Sequence, residues 1–172
     1  MPRYYKYRRT YFPKSYPRKR WATNLVNSTT DIVIPSGSSG AFNTKIICTN
    51  STQSSNPTPV LVKFGRLKIK GDIRYSLTDI ANYASAVLYV MFVPQGNELD
   101  TALIQNHPEY LLGWTTISMD SGNTFSLSTT LKRNLNSGDS IALYIGVSAV
   151  NTVQAQTSFS FFYTCQFWTT SA

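Results

Sequence analysis

The stretch "TSFSFFYTCQFW" (157–168) alternates without a break. Phe159, Phe161, Tyr163, Cys165 and Phe167 share one face, and Phe162 and Trp168 stand on the other. A period of two over this length marks a β-strand with an apolar face on a core. Aromatic residues on the second face as well predict a strand covered on both sides. Seven further runs of β-branched and aromatic residues precede it: "TTDIVIP" (29–35), "AFNTKIICT" (41–49), "PVLVKFGRLKIKGDI" (59–73), "SAVLYVMFV" (85–93), "YLLGWTTIS" (110–118), "TFSLSTTL" (124–131) and "SIALYIGVS" (140–148). The segments between them, such as "PSGSSG", "VPQGN", "MDSGN" and "NLNSGD", carry turn chemistry. Gly supplies positive φ, Pro fixes φ, and Asn, Asp and Ser cap turns with their side chains. Helical periodicity is confined to "NELDTALIQ" (97–105), enough for two turns in the longest connection. Eight antiparallel strands without intervening helices make an all-β sandwich or barrel, and the count favours a single eight-stranded jelly roll.

The opening segment has a different texture. "MPRYYKYRRTYFPKSYPRKRW" (1–21) holds eight Lys or Arg, seven aromatics and no acid. The chain as a whole carries a formal net charge of +8, so residues 22–172, with eight basic and eight acidic side chains, are formally neutral. Excess charge confined to one end predicts a basic arm over 1–21 and a folded domain over 22–172, with a polyanion, nucleic acid or an anionic membrane surface, as the arm's partner. Ser, Thr and Asn supply 52 of the 172 residues, but the regularly punctuated apolar runs argue for strands rather than a solvated coil. No apolar run approaches the ~18–20 residues of a membrane span. The head lacks the apolar centre of a secretory signal. Of the two polyanions, nucleic acid and not a membrane is the expected partner. Cys48 and Cys165, without metal-ligand spacing, read as buried free thiols suited to a reducing compartment.

Catalytic chemistry has little material. His107 is the one histidine and lies beside Pro108 in a loop; the acids sit mostly in or beside turns. No P-loop, nucleophile elbow, zinc-protease or dinucleotide fingerprint occurs. No catalytic residue, metal or cofactor is expected.

Binding chemistry is concentrated in the head. Arg3, Lys6, Arg8, Arg9, Lys14, Arg18, Lys19 and Arg20 would neutralise phosphates, while Tyr4, Tyr5, Tyr7, Tyr11 and Trp21 offer rings on which unstacked bases can lie. That mixture suits single strands better than duplex. Arg18, Lys19 and Arg20, within "PRKRW" (17–21), also fit a basic nuclear-import cluster. A second basic row lies in the third strand. Arg66, Lys68 and Lys70 alternate onto one face, opposite Leu67, Ile69 and Ile73, and Arg74 extends the row. The phase differs before Gly65, which is expected at a bulge.

The head, "FGRLKIKGDI" (64–73), "LKRNLNSGDSIALYIG" (131–146) and "TSFSFFYTCQFWTT" (157–170) together resemble the capsid protein of small circular Rep-encoding single-stranded DNA viruses, of circovirus-like or nanovirus-like type. The resemblance implies strands B to I in two sheets ordered BIDG and CHEF. It also implies a T = 1 shell of sixty identical subunits and a host import receptor, with assembly in the host nucleus. The arm would turn inward onto a packaged circular ssDNA genome. Sixty arms would bring about 480 positive charges to that genome. Uncharged Ser/Thr/Asn surfaces would let subunits approach. The connection 94–109 exceeds what a chain reversal needs, and Leu99, Leu103 and Ile104 on its short helix are expected at a contact between subunits. Two other readings of the residues stay open: a non-assembling β-barrel that binds single-stranded nucleic acid, and a jelly-roll lectin or ligand-type trimer with an incidental arm.

Overall fold

A computed structural model of the chain describes residues 20–51, 61–75, 83–117 and 123–171. Its strands are β1 (Ala22–Ile34), β2 (Gly40–Thr49), β3 (Val62–Tyr75), β4 (Tyr83–Val93), β5 (Leu111–Ile117), β6 (Thr124–Thr129), β7 (Arg133–Leu135), β8 (Ser140–Ala149) and β9 (Thr157–Ser171). A short helix α1 (Thr101–Asn106) and a 3-10 turn (Pro108–Tyr110) lie between β4 and β5. One sheet runs β1-β9-β3-β6 and the other β2-β8-β4-β5; the pairs are antiparallel throughout. With the three-residue β7 set aside, the strands in chain order are B to I. The sheets are then BIDG and CHEF, and the fold is a jelly roll.

Alternation explains the core. Phe159, Phe161, Tyr163, Cys165 and Phe167 of β9 face inward with Ile32 and Ile34 of β1, and with Leu67, Ile69 and Ile73 of β3. Across from them stand Ile141, Leu143, Ile145 and Val147 of β8 and Ala86, Leu88 and Val90 of β4. Burying one such side chain is worth about 1.5–3 kcal/mol, so this column is the main cohesive element of the sandwich. On the far side of the CHEF sheet, Met91, Val93 and Ala142 are also buried, because α1 and its flanking turns lie over them. β8 is therefore buried on both faces over most of its length.

Turn chemistry fixes the ends. Asp100 caps α1 by accepting from the Leu103 N–H at 2.7 Å. Asp139 accepts from the Gln95 and Asn136 N–H groups at 3.0 and 2.8 Å. Asn50 is buried and donates its side-chain amide to the Leu135 carbonyl at 2.9 Å, so three loops are tied at one end. Gly138 has φ +85°, in the left-handed region, and a Cβ there would meet Gln95.

Three expectations are corrected. The first strand begins at Ala22, not Thr29, because Ala22–Ser28 pairs with Tyr163–Thr169 of β9 despite its polar composition. β7 adds a ninth short strand against Val62–Phe64. β9 is not covered on both sides: Phe162 and Trp168 are half-buried on a face that meets solvent. At Gly65 the β3–β9 register slips between Phe64 and Leu67, the bulge the phase change predicted. Of the third run, residues 59 and 60 lie outside the described residues, as does residue 118 of the fifth.

Two measurements follow from this packing. A Cβ on Gly71 would stand 2.3 Å from the Phe162 carbonyl oxygen, whereas one on Gly113 would meet only side chains at 3.5 Å. Gly71→Ala is expected to lower unfolding free energy by about 1–3 kcal/mol, and Gly113→Ala by far less, in urea titrations. Cys48 on β2 and Cys165 on β9 are unbonded and lie in opposite sheets. Burial, with the Cys48 thiol a lesser contributor, pushes the Cys165 thiol up to about 12, and burial raises Cys48 as well. Both thiols stay protonated near neutral pH. Iodoacetamide at pH 8 should therefore leave Cys165 unmodified in the folded protein and alkylate it in denaturant, read by mass. Equal alkylation in both states would show that the buried site opens.

Candidate nucleic-acid interface

Alternation that sends apolar side chains into the core sends a polar set outward from the BIDG sheet. From β3 this face receives Arg66, Lys68, Lys70, Asp72 and Arg74; β9 adds Ser160, Phe162, Thr164, Gln166 and Trp168. Register sets them in rows. Ser128, Lys68, Gln166 and Leu25 form one, and Ser126, Lys70, Thr164 and Asn27 the next. Thr124, Asp72, Phe162 and Thr29 follow. Cross-strand neighbours on one face lie about 5 Å apart, so each lysine is flanked by small hydroxyl and amide groups and not by bulk.

Among the described residues neither Lys68 nor Lys70 forms an ion pair. Arg74 is held by Asp72, Nε to Oδ2 at 3.2 Å, and its guanidinium lies 4.7 Å from the centre of the Phe162 ring. Thr164 donates its hydroxyl to the Asn27 side-chain oxygen at 2.7 Å, and Ser160 donates to Asp31 at 2.6 Å. An open cavity of about 590 Å³ lies over this part of the sheet, between Asn27, Lys70, Asp72 and Phe162. A second of about 420 Å³ adjoins it through Lys70 and Thr164, toward Leu25, Lys68 and Gln166.

The arm's root lies at the bulged end of this face. Trp21 packs its ring on Gly65, where a Cβ would come within 2.7 Å of it, so the absent side chain makes the seat. The Lys132 ammonium stands 5.8 Å from the same ring. Arg20 is exposed just before it. The remaining arm residues expected to bind nucleic acid, Arg3, Tyr4, Tyr5, Lys6, Tyr7, Arg8, Arg9, Tyr11, Lys14, Arg18 and Lys19, lie outside the described residues, as does most of the import cluster. Sequence reasoning missed Lys132, Asn27 and Phe162 on this face. The Phe162 signal was present in the second phase of the β9 alternation; nothing local marked the other two.

Elsewhere, Leu99, Leu103 and Ile104, expected at a contact between subunits, pack half-buried on Met91, Val93 and Ala142 of their own chain. His107 bonds Glu109, Nδ1 to Oε1 at 2.9 Å, and stacks on Tyr110. The His107 hydrogen bond is the main reason the Glu109 carboxyl sits below its usual range. Among the described residues no cluster of three His, Cys, Asp or Glu side chains is placed to hold a metal ion, and no helix is long and apolar enough to cross a membrane.

No protein-family model matches the chain, and no curated protein does. Solved structures of similar shape include a bacterial lipoprotein from Bacteroides thetaiotaomicron, at 10% identity over 87% of this chain and 89% of that one, with a TM-score of 0.48. Broad bean stain virus is similar at 10% identity over 80% and 84%, TM-score 0.38, and the decameric BFDV capsid protein at 9% over 89% and 99%, TM-score 0.37. Likenesses this distant, to viral shells and to a lipoprotein alike, carry no functional argument.

Proposed function

We propose that this chain is a viral capsid protein that assembles into a small icosahedral shell and packages circular single-stranded DNA. The shell is a T = 1 assembly of sixty copies. The arm and the BIDG face are turned inward; import through Arg18, Lys19 and Arg20 brings the protein to the host nucleus, where it assembles. No catalysis is involved. The observation that carries the reading is the placement of the arm's root. The Trp21 ring is seated on Gly65, next in sequence to Arg66 at the end of the row continued by Lys68 and Lys70, so the arm starts from the end of the basic row. A polyanion met by the arm is delivered to the sheet. The neutrality of 22–172 supports the same reading, because copies packed edge to edge meet without net repulsion. The remaining surface of the sandwich is available for those contacts.

Assembly is tested by the size of the purified protein after nuclease treatment. Particles holding sixty copies are expected in negative-stain images and native mass spectra, and a discrete small oligomer would favour a non-assembling nucleic-acid-binding protein. Removing residues 2–20 deletes eight cations and no strand. The truncated domain should fold and fail to package DNA, and its slope of log affinity against log salt should be shallower by about 5–6 for single strands. A second pair of variants separates charge from stacking. Changing Arg8, Arg9, Arg18, Lys19 and Arg20 to Gln should flatten the salt slope. Changing Tyr4, Tyr5, Tyr7 and Tyr11 to Ser should keep the slope and weaken single strands more than duplex, and equal losses on both would refute stacking.

A further inference from the structure

Phe162 has no role in the core. It stands half-buried on the outward face of a central strand, between Thr29 and Asp72. Its ring instead floors the larger cavity, and the guanidinium of Arg74 lies against it. Asp72 pairs with that guanidinium at 3.2 Å, and the cation lies against the ring. Unstacked bases lie on aromatic rings and on guanidinium planes.

The rest of the cavity supplies what a nucleotide needs around its base. Lys70 stands at the junction of the two depressions, without an acidic partner among the described residues, and is placed for a phosphate. The Thr164 hydroxyl occupies the Asn27 side-chain oxygen, which leaves the Asn27 NH2 group as a donor. Asp72 keeps its second carboxylate oxygen as an acceptor once Nε of Arg74 is bound. The Asn27 amide and the Asp72 carboxylate stand on strands either side of β9, so they offer polar groups at the two margins of the open cavity.

We infer that the BIDG face holds a nucleotide subsite for single-stranded DNA, with the base against the Phe162 ring, Asn27 and Asp72 at its two margins, and its phosphate on Lys70. The identity of the ligand rests on the packaging function proposed above; the geometry of the subsite does not. Duplex DNA cannot use it, because its bases are already stacked and its backbone holds them away from the sheet. The folded domain thus distinguishes single strands from duplex by itself, in addition to whatever the arm does.

The test is photocrosslinking of the full-length protein to a short oligothymidylate carrying 5-iododeoxyuridine, with the modified residues mapped by mass spectrometry. A crosslink at Phe162 is expected. Phe162→Leu keeps an apolar side chain on the sheet but removes the ring face. It should weaken the single strand about tenfold, leave duplex affinity and salt slope unchanged, and melt as the wild type does, whereas Phe162→Trp should bind as the wild type. Crosslinks that avoid Phe162 in a protein that binds single strands, or a Leu variant with full affinity, would overturn the subsite alone. A wild-type protein that ignores single strands would overturn the packaging function and the subsite together.

Discussion

The double ladder of β9 is the constraint on which the other features depend. Its backbone pairs with β1 on one side and β3 on the other, so its alternation is imposed on both neighbours. Odd-numbered residues from Phe159 to Phe167 build the core, and even-numbered residues from Ser158 to Trp168 build the outer surface. A register slip of one residue would carry four aromatic side chains and Cys165 into water and Phe162, Thr164 and Gln166 into the core. Core and interface are therefore two readings of one strand, and neither can be moved without the other.

Charge is divided by the same geometry. α1 covers Met91, Val93 and Ala142 on the outer face of the CHEF sheet, while the outer face of the BIDG sheet carries the basic row of β3. Arg66, Lys68 and Lys70 are separated by Leu67 and Ile69, which anchor the strand in the core. The cations are therefore held at strand spacing, with Arg66 and Lys70 exposed and Lys68 half-buried, so the row avoids the desolvation penalty of full burial. The bulge at Gly65 brings Trp21 onto the backbone at the same end, and Lys132 from the segment before β7 joins it there.

Most of the fold was legible because alternation is local. Each of the eight runs became a strand, and the basic row of β3 faced outward as its phase required. What the sequence concealed was decided by partners far along the chain. Ala22–Ser28 has weak strand propensity and is extended because β9 offers it a ladder. Leu99, Leu103 and Ile104 gave α1 an apolar side, but only the fold shows that Met91, Val93 and Ala142 lie beneath it. Phe162 and Trp168 looked like the second face of a covered strand, because hydrophobicity reports that a side chain prefers contact and not with what. Asn27 and Lys132 reach their places beside the basic row and the Trp21 ring through pairing and looping that no local pattern encodes.

The attachment of the arm has a mechanical side. β1 meets β9 through thirteen consecutive residue pairs, from Ala22 opposite Thr169 to Ile34 opposite Thr157. Tension on the arm along the strand axis is carried in shear, with the whole ladder strained at once, and rupture requires many hydrogen bonds to fail together. Tension away from the sheet would peel those bonds one by one, but it must first lift the Trp21 ring from its seat on Gly65. A polymer that recoils or thermally tugs on this arm is thus anchored to the most extensively paired strand among the described residues, in the direction in which that ladder is hardest to break.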